Sequence, residues 1–497
     1  MSAHGQMSGL SYSVPPRSRS CQGFFGRLFS DLKPWEPPFP AGASGISDEA
    51  ADAFFKEIAS GHMKDTGGLS GDSKIPAGYT YFGQFIDHDI TFDPTSSLMR
   101  QNDPERLHNF RTPRLDLDSV YGCGLAASPH FYEKDSGRFL IGKKVGKGEP
   151  DLPRNHVGTA LVGDPRNDEN LIVGQLQLVF LKFHNRVFDE LRADGLGAAE
   201  AFSEARRLLT WTYQYVVWND FVRRIVADDL WRDLLKLEKR QGTVRWKLGS
   251  RFYRWKNTPF MPVEFSVAAY RFGHSLVRDG YQINAGLDPG EEIPVFDLDG
   301  QVGDLRGGRP LRPGYSLQWD WFVDLPSSRG PFPQQGKKID PFLSAALARI
   351  PAGPGNDNAL AFLNLKRGWR TGLPSGPDVA RFLGVGPVKT EPHEEALWFY
   401  ILKEASMLPG VNGGNMLGRV GGTVVGEVFA GLLSGDPHSF FNLRPRWIPS
   451  DEPVLQNKGP WNGESWQLGD LVRIAQMPED ETQVRSLIRT GNFTPSV

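Results

Sequence analysis

Gln84, Asp87 and His88, within Gly83-Gln84-Phe85-Ile86-Asp87-His88-Asp89, stand at i, i+3 and i+4 and so project together from a helix. An amide, a carboxylate and an imidazole then share one face, combining donors, acceptors and a titratable ring. Asp89 is rotated from His88 by roughly 100°, as 3.6 residues per turn requires, and serves a different neighbour, a cation.

Thr112-Pro113-Arg114-Leu115-Asp116-Leu117-Asp118 carries oxygen donors at alternate positions, followed by Ser119. Hard cations such as Ca²⁺ take about six to eight oxygens from carboxylates, hydroxyls and carbonyls on a compact loop. With Asp89, three carboxylates are available, although Asp-x-Asp is also common on solvated turns. Gly163-Asp164-Pro165-Arg166-Asn167-Asp168-Glu169-Asn170 runs into an apolar periodic segment, and Arg166 and Glu169 share a face if the helix starts early. The plainer reading is a capping run, with acidic residues at the positive end of the helix dipole.

His274 ends an apolar helical pattern beside Gly273, which clears space for a flat, bulky group. A histidine in such a place is more often a satisfied core residue. Asn364, in Phe362-Leu363-Asn364-Leu365-Lys366-Arg367-Gly368, lies in an apolar run and demands a buried partner such as a histidine ring N–H.

Long helices must position these groups. Ile172, Val173, Leu176, Val179, Phe180, Phe183, Val187, Phe188 and Leu191 keep helical spacing, predicting a helix over Leu171–Arg192, with a second over Ala199–Val226. A third is expected to start near Pro262 and run through Glu264 and Phe272 toward Leu276. Helical patterns recur at Asp340–Arg349, Glu394–Met407 and Val424–Leu433; strand signals are few and short, Ile293–Asp297 among them. Leu287–Gly336, rich in Gly, Pro and Asp, reads as an ordered excursion over the surface. The expected organisation is a Gly/Ser/Pro-rich extension over residues 1–50, one mainly α catalytic domain over 51–480, and a polar tail over 481–497.

The 497 residues include 39% hydrophobic side chains and 13 tryptophans, enough for a large core. A net charge of -2 gives no general electrostatic reason to expect nucleic acid or an anionic membrane as partner. Two cysteines, Cys21 and Cys123, exclude a disulfide framework. Met1–Ser20 lacks the basic and apolar regions of a secretory signal, so the expectation is a cytoplasmic protein, with signal-less export left open. Gly418–Gly435 carries Arg419 and Glu427, falls short of the ~20 residues of a membrane span, and reads as a buried helix.

Taken together, GQFIDHD at 83–89, TPRLDLDSVYG at 112–122, DPRNDEN at 164–170, FGHS at 272–275 and LNLKRG at 363–368 resemble the animal-type haem peroxidases of the peroxidase–cyclooxygenase superfamily, in a compact bacterial form. The segments around Phe183-His184-Asn185-Arg186 and Tyr213-Gln214 are similar too, so the resemblance covers roughly residues 75–435. It implies a single large helical domain binding haem b and Ca²⁺, which reduces hydrogen peroxide and, through compound I, oxidises halides, thiocyanate or phenols. His274 would be the proximal iron ligand and Asn364 the acceptor of its other ring N–H. His88 would be the distal base, Arg166 the stabiliser of charge during O–O cleavage, and Gln84 the group ordering distal water or halide. Asp87 and Glu169 match the carboxylates that form ester bonds to haem methyls. Asn170 stands where one member has a haem-linked methionine, so no sulfonium bond is expected. Arg271 and Arg367 fit as propionate partners. The calcium set would be Asp89, Thr112, the Arg114 carbonyl, Asp116 and Asp118. The oligomeric state is open.

Two other functions compete. In fatty-acid dioxygenases of the superfamily a radical tyrosine stands three residues before the proximal histidine; here that residue is Arg271, and Tyr270 is offset by one position. A haem-free interaction module would not need the full set of site residues.

Overall fold

The computed structural model describes residues 23–39, 47–66, 70–93, 108–146, 148–248, 251–253, 259–288, 290–300, 303–326, 333–351 and 359–477. Met1–Ser20, Cys21 and the tail beyond Asp480 lie outside these.

The main helices are α1 (Asp48–Gly61), α2 (Gly78–Ile90), α3 (Leu171–Ala193), α4 (Ala198–Val216), α5 (Leu360–Arg370), α6 (Leu397–Ser406), α7 (Arg419–Gly435) and α8 (Leu468–Gln476). Strands are short, and the fold is mainly α, as expected. Helix α3 follows its predicted range closely and is nearly buried throughout; Asn170 caps it by accepting from the Val173 N–H at 2.9 Å. It packs against α2, α4 and α8, and Phe85 of α2 stacks on Phe180 of α3 with ring centroids 4.5 Å apart. α7 is the buried helix anticipated at Gly418–Gly435, and no helix among the described residues is long and apolar enough to cross a membrane.

Several elements differ from expectation. α4 ends at Val216 and continues as a π-helical stretch, Val217–Val222. The predicted helix from Pro262 is broken. Phe260–Pro262 is a strand, Glu264–Ala268 a π turn, and Ala269–Leu276 a 3₁₀ helix entered through Ala268 at φ −126°, ψ −75°. Within Asp340–Arg349 only Ala345–Ala348 is helical, and the strand at Ile293 spans two residues. Leu235–Arg240 and Thr243–Leu248 form an unanticipated antiparallel hairpin.

Within the first fifty residues, the described segment 23–39 is not merely an arm. Gly23–Gly26 pairs in parallel with Phe260–Pro262, and the buried Glu264 carboxylate accepts from the Leu28 and Phe29 N–H groups at 3.0 and 3.3 Å. That draws Phe25, Phe29 and Trp35 into the core, which a Gly/Pro-rich composition concealed. The Leu287–Gly336 excursion likewise buries Leu305, Leu317, Trp319 and Phe322.

Candidate active site

α2 projects Gln84, Asp87 and His88 as their spacing requires; Gln84 and His88 share the Glu169 carboxylate, and Asp87 bonds elsewhere. Gln84 Nε2 donates to Glu169 Oε1, and its Oε1 accepts from Asn170 Nδ2 at 3.1 Å. Asp87 Oδ1 accepts from the Thr91 hydroxyl at 2.9 Å. His88 is fully buried, with Nδ1 2.9 Å from Asn167 Oδ1 and Nε2 3.2 Å from Glu169 Oε1.

Arg166 and Asn167 come from a 3₁₀ turn, Pro165–Asp168, with Glu169 capping its C-terminal end, and not from an early start of α3. In a 3₁₀ helix residues three apart eclipse, which brings Arg166 and Glu169 to one side. The Arg166 guanidinium is held by Asp164 at 2.9 and 3.1 Å, donates to the carbonyls of Thr91 and His88, and lies 4.6 Å from the Phe92 ring centre. Burial alone would raise the Asp164 pKa, but Arg111 and Arg166 together hold it far below the usual carboxylate range.

Two contacts brace this turn from behind. Arg154 grips Asp168 through a bidentate pair at 2.6 and 2.7 Å. A strap from Leu305 to Gly308 lies over its backbone, with the Gly307 N–H on the Glu169 carbonyl at 2.9 Å and the Gly308 N–H on the Asp168 carbonyl at 2.6 Å. A Cβ at Gly307 would sit 1.8 Å from the Asp168 carbonyl oxygen, so the approach excludes any side chain.

Facing these groups is a cavity of about 430 Å³. Gln84, Asp87, Arg166 and Glu169 line it from the α2 side, and Arg271 and His274 from the 3₁₀ segment, together with Arg367. His88 does not line it; Gln84 and Glu169 form the wall in front of the ring. Beside His274, a Cβ added to Gly273 would meet nothing within 4 Å, the open space its position suggested.

Arg271 and His274 are three apart in the 3₁₀ segment and converge on Asn364 of α5. Here the expectation is corrected: Asn364 Nδ2 faces His274 Nδ1 at 2.8 Å, while Asn364 Oδ1 accepts from Arg271. The guanidinium has claimed the oxygen, leaving the ring the nitrogen. Burial, then repulsion from Arg367, pushes Arg271 down to about 9, and burial lowers Arg367 as well. Two guanidiniums in a largely apolar cavity are a receptor for anionic groups.

The third cluster lies behind α2. Ligand atoms of Asp89, Asp116 and Asp118 all come within 4.8 Å of one another. Burial raises all three, with mutual repulsion adding to it for Asp89 and Asp118; Asp118 reaches about 7. Thr112 Oγ1 donates to Asp116 at 2.9 Å, the Arg114 N–H to the Thr112 carbonyl at 2.7 Å, and the Ser119 hydroxyl to Asp89 at 3.1 Å. Leu117 adopts φ 56°, a left-handed conformation that turns the loop back on itself. Gln214 holds this loop by donating to the Leu115 carbonyl at 2.9 Å. His184 and Asn185 prove structural: the ring bonds Tyr121 Oη and the Gly137 carbonyl, and the amide pairs with both backbone groups of Phe139.

Asn167, Asp164 and Gln177 were not singled out by sequence reasoning. Asn167 and Asp164 lie inside a quoted motif, but a helical reading of it hides which neighbours touch His88 and Arg166.

Residues 98–394 match the profile of the family described as animal haem peroxidase. Chorion peroxidase of Drosophila melanogaster is 25% identical over 283 residues, covering 54% of this chain and 33% of that protein. Thyroid peroxidase of Mus musculus is 27% identical over 414 residues, covering 78% and 40%. The chain thus spans less than half the length of these relatives. In structure it is similar to peroxidase A of Dictyostelium discoideum, with TM-score 0.63, 15% identity and coverage of 92% and 94%. Fatty acid alpha-dioxygenase of Arabidopsis thaliana has TM-score 0.55, 16% identity and coverage of 89% and 76%. With its profile match extending over more than half its length, this chain belongs to the animal haem peroxidase family.

Proposed function

We propose that the protein is a haem peroxidase that reduces hydrogen peroxide and oxidises small donors such as halides, thiocyanate or phenols. The observation that carries this reading is one cavity bordered by His274, Arg271 and Arg367, and by the Gln84–Glu169 wall with His88 directly behind it. The residues fit haem b: His274 would ligate it, Arg271 and Arg367 would meet its propionates, and the space beside Gly273 would admit its flat ring. When bound, haem supplies iron-centred O–O cleavage and oxidation of the donor.

The chain's own residues would do the rest. His88 takes a proton from peroxide at Nε2 and returns it to the departing oxygen. Arg166, anchored by Asp164, offers positive charge to the cleaving bond, and Gln84 orients water or halide. Asp87 and Glu169 would attach haem through ester bonds, a reading supported by their both lining the cavity. Calcium at Asp89, Thr112, Arg114, Asp116 and Asp118 would brace α2 immediately after the distal histidine.

A fatty-acid dioxygenase is the less favoured reading. Tyr270 lines the cavity, but its hydroxyl is tied to the Gly83 carbonyl at 3.1 Å, and Arg271 occupies the position nearer in register to His274. An absorption spectrum of the purified protein, before and after peroxide, tests the proposal. A Soret band that shifts with peroxide and returns with iodide or a phenol supports it; no haem, or oxygen uptake with a fatty acid and none of these changes, refutes it.

A further inference from the structure

The proton-handling role of His88 rests on the function proposed above, but which ring nitrogen is free to play it is decided further back. His88, Asn167 and Gln177 are all fully buried and form one chain: His88 Nδ1 to Asn167 Oδ1 at 2.9 Å, and Asn167 Nδ2 to Gln177 Oε1 at 2.9 Å. Asn167 Nδ2 also faces the Ser119 carbonyl at 3.5 Å.

An amide has one end that only accepts and one that only donates. Two oxygens surround Asn167 Nδ2, so turning the amide over would set Oδ1 against both. Gln177 could turn with it, but the Ser119 carbonyl belongs to the backbone of the acidic loop and cannot. That carbonyl is the fixed reference. It leaves Asn167 Oδ1 toward His88, and an oxygen there can only accept, so Nδ1 carries a hydrogen whether the ring is neutral or charged. Nε2, beside Glu169 at 3.2 Å on the cavity side, is then the nitrogen that exchanges protons.

We propose that Asn167 is a positioning residue that fixes the tautomer of His88, with the Ser119 carbonyl and Gln177 fixing the sense of the Asn167 amide. Neither Asn167 nor Gln177 touches the reacting atoms; both act through the histidine, as partners behind a catalytic or ligating imidazole do.

The test uses ¹⁵N-histidine-labelled protein in its ferrous carbonyl form, so that haem iron is diamagnetic. His88 should show a protonated Nδ1. Asn167→Leu should move the hydrogen to Nε2. It should also slow both the reaction of ferric protein with peroxide and the association of hydrogen cyanide, which must lose its proton on binding, by about 10–100-fold at unchanged haem content. Asn167→Asp keeps an oxygen at Nδ1 and should retain the Nδ1 hydrogen. Wild-type protein protonated at Nε2, or Asn167→Leu with wild-type rates, overturns the proposal. If Asn167→Leu does not fold, Asn167→Asp decides, and an Nε2–H tautomer there overturns it equally. A protonated Nδ1 in a protein inert to peroxide would support the positioning and remove the peroxidase reading.

Discussion

Asn364 offers its amide nitrogen to Nδ1 of His274 at 2.8 Å because Arg271 holds its oxygen, whereas Asn167 offers its oxygen to Nδ1 of His88. A ring accepting at Nδ1 carries its hydrogen on Nε2 when neutral. For His274 to present Nε2 to a metal, the Asn364 amide must turn over and Arg271 must find another acceptor. His274→Ala should therefore lose tightly held haem, read from the Soret band. Asn364→Asp, an acceptor at both oxygens, should keep haem and lower its reduction potential by making the ligand more basic. An unchanged potential would mean that this side chain does not tune the ligand.

On the distal side, His88→Ala and Arg166→Leu should each slow the reaction with peroxide by on the order of 10²-fold or more. Stopped-flow absorbance at the Soret band measures this. Since Arg166 also donates to the Thr91 and His88 carbonyls, its loss should lower thermal stability too, while Arg166→Lys recovers little of either. A wild-type rate in His88→Ala would remove the histidine from the reaction.

Covalent attachment through Asp87 and Glu169 predicts haem-modified peptides, by mass spectrometry of denatured protein, that contain these residues after exposure to peroxide. Asp87→Asn and Glu169→Gln should each abolish one class of peptide. Haem wholly extractable by acidified organic solvent after peroxide treatment would leave both carboxylates as hydrogen-bonding groups.

The proposed calcium site predicts that removing the ion destabilises the protein, because Asp89, Asp116 and Asp118 would then repel one another without a cation between them. Chelator-treated protein, checked by metal analysis, is expected to melt at lower temperature and to recover on adding Ca²⁺. Asp118→Ser, with one charge fewer, should bind the ion more weakly. Full stability and turnover in metal-free protein would sink the site.

Acid should unfold the protein partly through His184. Burial pushes its pKa down to about 3, against about 6.5 in an unfolded chain. Between these values the unfolded state binds one more proton than the native state. The stability contributed by the neutral ring is therefore present above pH ~6.5 and is lost as pH falls toward 3. Replacing His184 with Gln should flatten this part of the stability profile, measured by denaturant titrations across that range. An unaltered acid limb would show that other groups govern it.

Much of this was legible in the sequence where one period governs. Leu171–Arg192 keeps a helical repeat for its whole length, and Gln84, Asp87 and His88 sit on one face of α2 because nothing interrupts it. Asp116 and Asp118 were foreseeable from alternation on a loop, and Asp89 from its rotation away from His88 on α2. What escaped depends on partners distant in sequence. Ala269–Leu276 is wound as 3₁₀ and not α, which puts Arg271 rather than Tyr270 in line with His274. The direction in which Asn364 presents its amide is decided by Arg271, and no pattern of apolar residues reports that. The Phe25–Trp35 segment is held by a strand pairing and by Glu264, both far from it along the chain.

The Leu305–Gly308 strap has a consequence for the order in which this protein can become competent. The turn bearing Arg166 and Glu169 leaves the ribosome long before Gly307 is synthesised, and two of the hydrogen bonds that brace its backbone do not exist until Gly307 and Gly308 dock. A nascent chain that ends before the strap would hold this turn by its own internal bonds alone, and Asn364 would still be missing. Both walls of the cavity are therefore complete only in the nearly finished polypeptide.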